Sequence, residues 1–266
     1  MTTITRQTAH ALAWCTLCLP LTGHGLASSA ESSTALQPGA TVNLNAPTNT
    51  ESPRLAAPST SGEQNLANAG KPSGDFATES LAGWEERSFE GNTDYELITD
   101  SGVRVLKGHT QGAASILYRE QSIDLHKTPI VEWSWKTDRT YQGIDERERS
   151  GDDFTARLYV VAQTGFLPWE SLAINYIWSS SAPIDDSWAN PYTNKARMVV
   201  VQSGDSLVGS WTHQRRNVFE DFKRLFNQEI DKIDGYAVMV DGDNTGSEAI
   251  TLFGEIKFNN NRDPVH

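Results

Sequence analysis

Cysteine is nearly missing from this chain: its 266 residues hold two, Cys15 and Cys18, both within the first thirty. The rest of the sequence therefore has no disulfide, no thiolate nucleophile and no cysteine metal ligand. Positive charge is also scarce. Lys and Arg number 22 against 34 Asp and Glu, a net charge of −12, and no basic patch is visible, so nucleic acid is excluded as a partner. No run of about 18 apolar residues occurs, so no transmembrane segment is expected. The catalytic signatures Gly-x-Ser-x-Gly and His-Glu-x-x-His are missing, as is a phosphate-cradling glycine loop. The six histidines stand apart at 10, 24, 109, 126, 213 and 266.

Charge is missing from the beginning of the chain. Arg6 alone is charged before Glu31, and it precedes an apolar stretch, Ala11 to Leu21, and then small residues ending Ala27-Ser28-Ser29-Ala30. That order is the order of a cleaved signal peptide over 1–30, which places the protein in the periplasm or outside the cell. Pro20, Gly23 and Gly25 interrupt the stretch too early for a bilayer span. A short retained anchor and a lipid anchor on cysteine are the alternatives, the latter lacking the small-residue box before its cysteine. Cleavage after Ala30 would leave a chain free of cysteine, with 21 basic and 34 acidic residues and a net charge of −13.

From Glu31 to about Asp75 aromatic residues are absent, and five of the eleven prolines fall there, at 38, 47, 53, 58 and 72. Such a segment buries too little apolar surface to offset the entropy of ordering it, which predicts a disordered Ser/Thr/Pro/Ala-rich leader over 31–75. All 23 aromatic residues beyond the signal lie at Phe76 or later. One globular domain over about 76–260 follows.

Within that domain the apolar period is two. Strands are predicted at Val103–Leu106, Ala114–Tyr118, Ile130–Lys136, Phe154–Val161, Leu172–Trp178, Met198–Val201, Tyr236–Val240 and Ile250–Phe258. Gly/Asn/Asp clusters separate them, at 90–94, 100–102, 202–205 and 241–246. Val218 to Phe226 instead has apolar residues at 218, 219, 222, 225 and 226, a helical stripe, with Asn217 as N-cap. Many short strands with one short helix predict an all-β fold, an antiparallel β-sandwich of jelly-roll type.

Alternation assigns faces. Along Asp153–Val161, Phe154, Ala156, Leu158 and Val160 share one face, leaving Asp153, Thr155, Arg157 and Tyr159 on the other. Along Ile130–Lys136, Val131, Trp133 and Trp135 oppose Glu132, Ser134 and Lys136. If the two strands pair, Glu132, Lys136, Asp153, Arg157 and Tyr159 share one polar and aromatic face. Rings stack on sugar faces while charged groups take hydrogen bonds from hydroxyls, so this face is a candidate saccharide site. A solvated face laced with cross-strand ion pairs is the alternative. Asp152 and Asp153 are adjacent, so alternation aims them apart, with Asp153 toward the polar face. For glycoside cleavage Asp153 would need a partner carboxylate about 5–10 Å away, and Glu132 is the candidate. Trp211, His213 and Arg215 fall on one side of an extended segment, a cation-and-ring surface suited to an anionic sugar, or a source of counter-charge for the carboxylates. The loop Asp241-Gly242-Asp243-Asn244-Thr245-Gly246 has oxygen donors at positions one, three and five and a glycine at six. Position twelve is Leu252 rather than an acid, so Asp241, Asp243 and Thr245 are either half of a calcium site or a tight turn.

Six ordered motifs, GHTQGAASILY (108–118), PIVEWSWK (129–136), GDDFTARLYV (151–160), NYIW (175–178), WTHQRRNVFED (211–221) and DGDNTG (241–246), give the domain its character. Together they resemble the bacterial domain-of-unknown-function 3047 family over about Trp84 to Phe258. The resemblance implies an exported bacterial protein and no particular reaction.

Three functions fit these observations. The first is a non-catalytic module binding a saccharide or cell-envelope component through Glu132, Asp153, Arg157, Tyr159, Trp211, His213 and Arg215. The second is a polysaccharide hydrolase or lyase, with Glu132, Asp153, Arg157 and Tyr159 as its catalytic residues. The third is an envelope structural or assembly factor. No cofactor is implied, calcium in the acidic loop apart.

Overall fold

Trp133 and Trp135, two positions apart, must both leave water, and the strand that carries them forms the centre of the core. The computed structural model describes residues 72, 76, 80–167 and 170–261. The signal peptide expected over 1–30 lies outside the described residues, as does the leader expected over 31–75 apart from Pro72. Among the described residues the fold is two packed sheets. One contains, in spatial order, β1 (Glu85–Glu90), β4 (Ala114–Asp124), β11 (Lys232–Met239), β6 (Arg157–Gln163), β7 (Ser171–Ser179), β9 (Thr193–Ser203) and β8 (Ser187–Asn190). The other runs β10 (Thr212–Asn217), β5 (Ile130–Thr137), β12 (Glu248–Phe253), β3 (Val103–Gln111) and β2 (Asp94–Asp100), with β13 (Lys257–Asn259) also paired to β5. Neighbours are antiparallel except β7 and β9, which run parallel. This is a β-sandwich of jelly-roll type with one α-helix among the described residues.

The inner faces of both sheets meet in an aromatic core. Trp133 packs edge-on against Trp135 with ring centroids 5.3 Å apart, and lies 5.5 Å from Tyr176 of β7. Leu158, Val160, Trp178 and Phe253 complete this layer, all essentially without solvent contact. Each such side chain contributes about 1.5–3 kcal/mol by leaving water. The helix α1 (Val218–Phe226) lays Val218 and Phe222 onto the core, and Asn217 caps it by accepting from the Glu220 N–H at 3.2 Å.

The outer face of the seven-stranded sheet carries a second apolar layer: Ala114, Ile116, Tyr118, Tyr159, Val161, Ala173, Ala196, Ala237 and Met239. Three expectations are corrected here. The strand predicted from Phe154 begins at Arg157, after a bend at Thr155. The strand predicted over Ile250–Phe258 is broken into β12 and β13 by residues 254–256. Most consequentially, β5 and β6 do not pair: they belong to different sheets, so Glu132 and Lys136 cannot share a face with Arg157 and Tyr159.

Candidate functional site

Arg157 opens β6 on the outer face of the seven-stranded sheet, opposite Ile177 on β7 and Met239 on β11. It is 2% exposed, and its guanidinium lies 4.4 Å over the Phe154 ring. Nε donates to Asp241 Oδ1 at 2.7 Å, while Nη2 donates to Asp241 Oδ2 and to the Asp152 carbonyl. Nη1 donates to the Tyr159 hydroxyl at 3.3 Å. Burial works against the guanidinium charge, but Asp241, Tyr159 and Asp152 around it outweigh burial and hold its pKa above the ordinary arginine range. Arg157 is a fixed cation and Asp241 pairs with it: burial pushes the Asp241 carboxyl up while the guanidinium pulls it down, and the two-pronged contact is what favours its ionised form.

The acidic loop is folded onto this pair. A Cβ on Gly242 would sit 2.3 Å from the Ser247 carbonyl oxygen, so this tight approach requires glycine. Asp153 accepts from the Asn244 backbone N–H at 3.2 Å, from Asn244 Nδ2 at 3.0 Å and from the Thr245 N–H at 2.7 Å. Its carboxylate is a clamp on the loop. Oxygens of Asp153, Asp241 and Asp243 lie within 4.8 Å of one another. The calcium arrangement expected from Asp241, Asp243 and Thr245 is altered: Thr245 turns its hydroxyl to Ser247 Oγ at 2.6 Å, and Asp153 takes its place beside the two aspartates. The cation this cluster already meets is the Arg157 guanidinium.

Between the loop and the sheet lies a pocket of about 40 Å³, lined among others by Asp152, Arg157, Tyr159, Asn175, Asn190, Tyr192, Asp243 and Asn244, with Phe89 and Met239. Asp152 is 5% exposed and Asn175 1%. Asp152 Oδ2 accepts from Asn190 Nδ2 at 3.2 Å, but Oδ1 accepts no hydrogen bond from the described residues; Arg157 Nη1 stands 3.7 Å away. Burial pushes the Asp152 carboxyl up to about 6, against the pull of Arg157 and the Asn190 amide. Asn175 aims Nδ2 at Met198 Sδ at 3.4 Å, and its Oδ1 likewise accepts nothing from the described residues. Burial also raises Asp243, helped by neighbouring Asp153. Tyr192 closes the side of the pocket, donating to Asn244 Oδ1 at 2.8 Å.

The residues singled out in the sequence divide between the two sheets. Arg157 and Tyr159 line the pocket; Asp153 stands behind it. Glu132 lies on the other sheet, accepting from Arg215 Nε at 3.0 Å and from Asn259 Nδ2 at 2.8 Å, while Arg215 Nη2 donates to the Asn261 carbonyl. That arrangement ties the C-terminal strand β13 to β5 and matches the cross-strand ion-pair alternative. Trp211 Nε1 donates to Asp100 Oδ2 at 2.7 Å, beside Lys136 on the same carboxylate at 2.9 Å. His213 faces Ser134 in the register of the same sheet. Glu132, Trp211, His213 and Arg215 therefore lie on the far side of the sandwich from the pocket, and the expected Glu132–Asp153 pair does not form.

Asn175, Asn190 and Tyr192 escaped sequence reasoning, and alternation aimed Asp152 away from the polar face. Asn175 did leave a signal, as the lone amide in the otherwise apolar run Leu172–Trp178. Asn190 ends β8 and Tyr192 sits in the short turn to β9, where polar residues are ordinary.

No curated protein matches the chain. Among solved structures, the fold is similar to the xyloglucanase domain of NopAA, a type three effector from Sinorhizobium fredii, with TM-score 0.38 and 10% identity over 69% of this chain and 96% of that one. It is similar also to a cellulase derived from Cel12A of Rhodothermus marinus, with TM-score 0.40 and 10% identity over 66% and 96% of the two chains. A carbohydrate-binding module specific for non-crystalline cellulose gives TM-score 0.36 and 13% identity over 70% and 92%. Likenesses this distant carry no argument about what the pocket does. The sequence gives a firmer assignment, since residues 82–257 match the family model described as protein of unknown function DUF3047, and the chain belongs to that family.

Proposed function

We propose that this domain is an exported, non-catalytic module that binds a saccharide or related cell-envelope ligand in the pocket over Arg157. The observation that carries the reading is that Asp152 and Asn175 line one pocket and each holds a buried oxygen, Oδ1, that accepts no hydrogen bond from the described residues. A buried acceptor left unsatisfied costs about 1–3 kcal/mol, and a hydroxyl-bearing ligand can satisfy both. Phe89 and Tyr192 supply ring surface beside these acceptors, the combination that grips a sugar edge. The volume suits a local contact with one sugar residue: about 40 Å³ holds about three water-sized groups at roughly 10–15 Å³ each.

The non-catalytic reading is supported by how the carboxylates are used. Glycosidases commonly need a second carboxylate beside the acid, whereas here Asp241 is held by Arg157, Asp153 by the loop, and Asp243, at the pocket's edge, accepts from Asn244 Nδ2 at 3.3 Å. One observation favours a hydrolase instead. A carboxyl raised to about 6, as at Asp152, suits a general acid.

Calorimetry against a panel of neutral, amino and acidic oligosaccharides, run beside a reducing-end assay, separates the readings. The module reading expects binding without product release, and binding weakened about tenfold or more by Asn175→Ala. Product release abolished by Asp152→Asn would replace it with the hydrolase. Silence in both assays would overturn both and favour an envelope assembly role.

A further inference from the structure

We infer that the pocket selects a saccharide carrying a protonated amine, such as a hexosamine with a free 2-amino group. The inference rests on the saccharide-binding reading above and narrows its ligand class. Hydrogen-bond donors around the pocket are directed inward. Arg157 spends Nε and Nη2 on Asp241 and the Asp152 carbonyl and Nη1 on Tyr159, Asn190 Nδ2 goes to Asp152, and Asn244 Nδ2 goes to Asp153 and Asp243. Two residues that line the pocket, Asp152 and Asn175, each hold an oxygen without a partner among the described residues, Oδ1 in both; these are acceptors, in side chains more than nine-tenths buried. A ligand that satisfies them must donate, and an ammonium has three donors and no acceptor.

Charge points the same way. Asp241 takes the Arg157 fork, so Asp152 has that guanidinium only at 3.7 Å, and no salt bridge reaches Asp153 or Asp243 among the described residues. A further cation near the pocket wall, Arg149, lies over the Tyr192 ring at 5.0 Å and donates to the Pro191 carbonyl. The pocket is left with more carboxylate than cation, in a site where burial penalises the ionised forms of both Asp152 and Asp243. A ligand cation offsets that excess. A uronate or phosphate would add to it, and an N-acetyl group would bring a carbonyl acceptor to a site short of donors.

A divalent metal meets an obstacle the amine does not. Both oxygens of Asp241 already accept from Arg157, and both oxygens of Asp153 accept N–H groups of the loop. A metal would have to displace these bonds, whereas an ammonium can use the two acceptors that stand unused.

Calorimetry on the full chain with four probes tests the inference: a fully deacetylated β-1,4-glucosamine tetramer, its N-acetylated counterpart, a cello-oligosaccharide and an oligogalacturonate, each at low and high salt and with calcium chloride alone as a fifth titrant. The glucosamine tetramer should bind about tenfold tighter than the cello-oligosaccharide, and lose much of that advantage at high salt. Asp152→Asn should weaken the glucosamine tetramer more than the cello-oligosaccharide and so remove the advantage, whereas Asn175→Ala should weaken both to a similar degree. Equal or tighter binding of the neutral or acidic probes would overturn the amine inference and leave the saccharide reading standing. Binding of none of the four would overturn the saccharide reading itself. Calcium binding that the tetramer competes away would overturn the inference in favour of a metal site.

Discussion

Asp152 keeps its proton to about pH 6 because burial penalises its charge more than Arg157 and Asn190 favour it. In the unfolded chain the same carboxyl titrates near pH 3.9, so between about pH 4 and 6 the folded protein holds a proton that the unfolded chain gives up. Stability from this group is therefore fully present below about pH 4 and declines as pH rises toward 6, by roughly 2–3 kcal/mol for a shift of about two units. Asp152→Asn abolishes the titration. Urea denaturation should find that variant more stable than the parent at pH 7.5 and nearly equal to it at pH 3.5; a variant less stable at pH 7.5 would mean that the fold favours the ionised carboxylate. Arg157 has the opposite standing, since its charge is built in. Arg157→Met should cost about 3–5 kcal/mol in the same denaturation measurement, because Asp241 is left buried without its counter-ion. A loss under 1 kcal/mol would mean that Asp241 is satisfied some other way. Neither role was legible from the adjacent pair Asp152-Asp153, because alternation was counted through a strand that starts only at Arg157.

Elements with local causes could be read from the chain, and elements with distant causes could not. The helix Val218–Phe226 follows from its own apolar spacing and its Asn217 cap, and it forms where expected. The entry to β6 depends on contacts from far along the chain: Asp241 accepts from the Phe154 N–H at 3.2 Å, and the Thr251 hydroxyl donates to the Thr155 carbonyl at 2.6 Å. These contacts flank the bend at Thr155, where Phe154 lies under Arg157, while the Phe154 and Ala156 carbonyls still accept from the Asp241 and Trp178 N–H groups. The acidic loop was legible as a tight turn, but its partner Arg157, 84 positions away, was not. Gly242→Ala tests that loop as a unit. The added methyl would meet the Ser247 carbonyl at 2.3 Å, so the variant should lose about 1–3 kcal/mol and weaken any ligand that depends on Asp152 and Asn244. Unchanged stability and binding would show that the loop does not need its tight approach.

At the scale of the whole molecule, period-two patterning specified a sandwich without saying which strands share a sheet. Hydrophobic alternation is satisfied equally well by either sheet, and the choice is made by pairings such as β6 with β11 and β5 with β12, which join residues 74 to 118 positions apart. That choice sends Glu132, Trp211, His213 and Arg215 to one outer face and Arg157 and Tyr159 to the other. Trp133, Trp135 and Trp178, each 1% exposed or less, belong to the core and offer no ring to a ligand. What remains is one polar pocket beside a sheet face floored by alanines, and its occupancy is the central claim. An amide NMR titration of the protein with the saccharide panel tests it most directly. The account predicts that the side-chain amides of Asn175 and Asn190 and the backbone amides of Tyr192 and Asn244 shift with ligand while those of His213 and Arg215 stay still; shifts centred on His213 and Arg215, or no shifts with any saccharide, would contradict it.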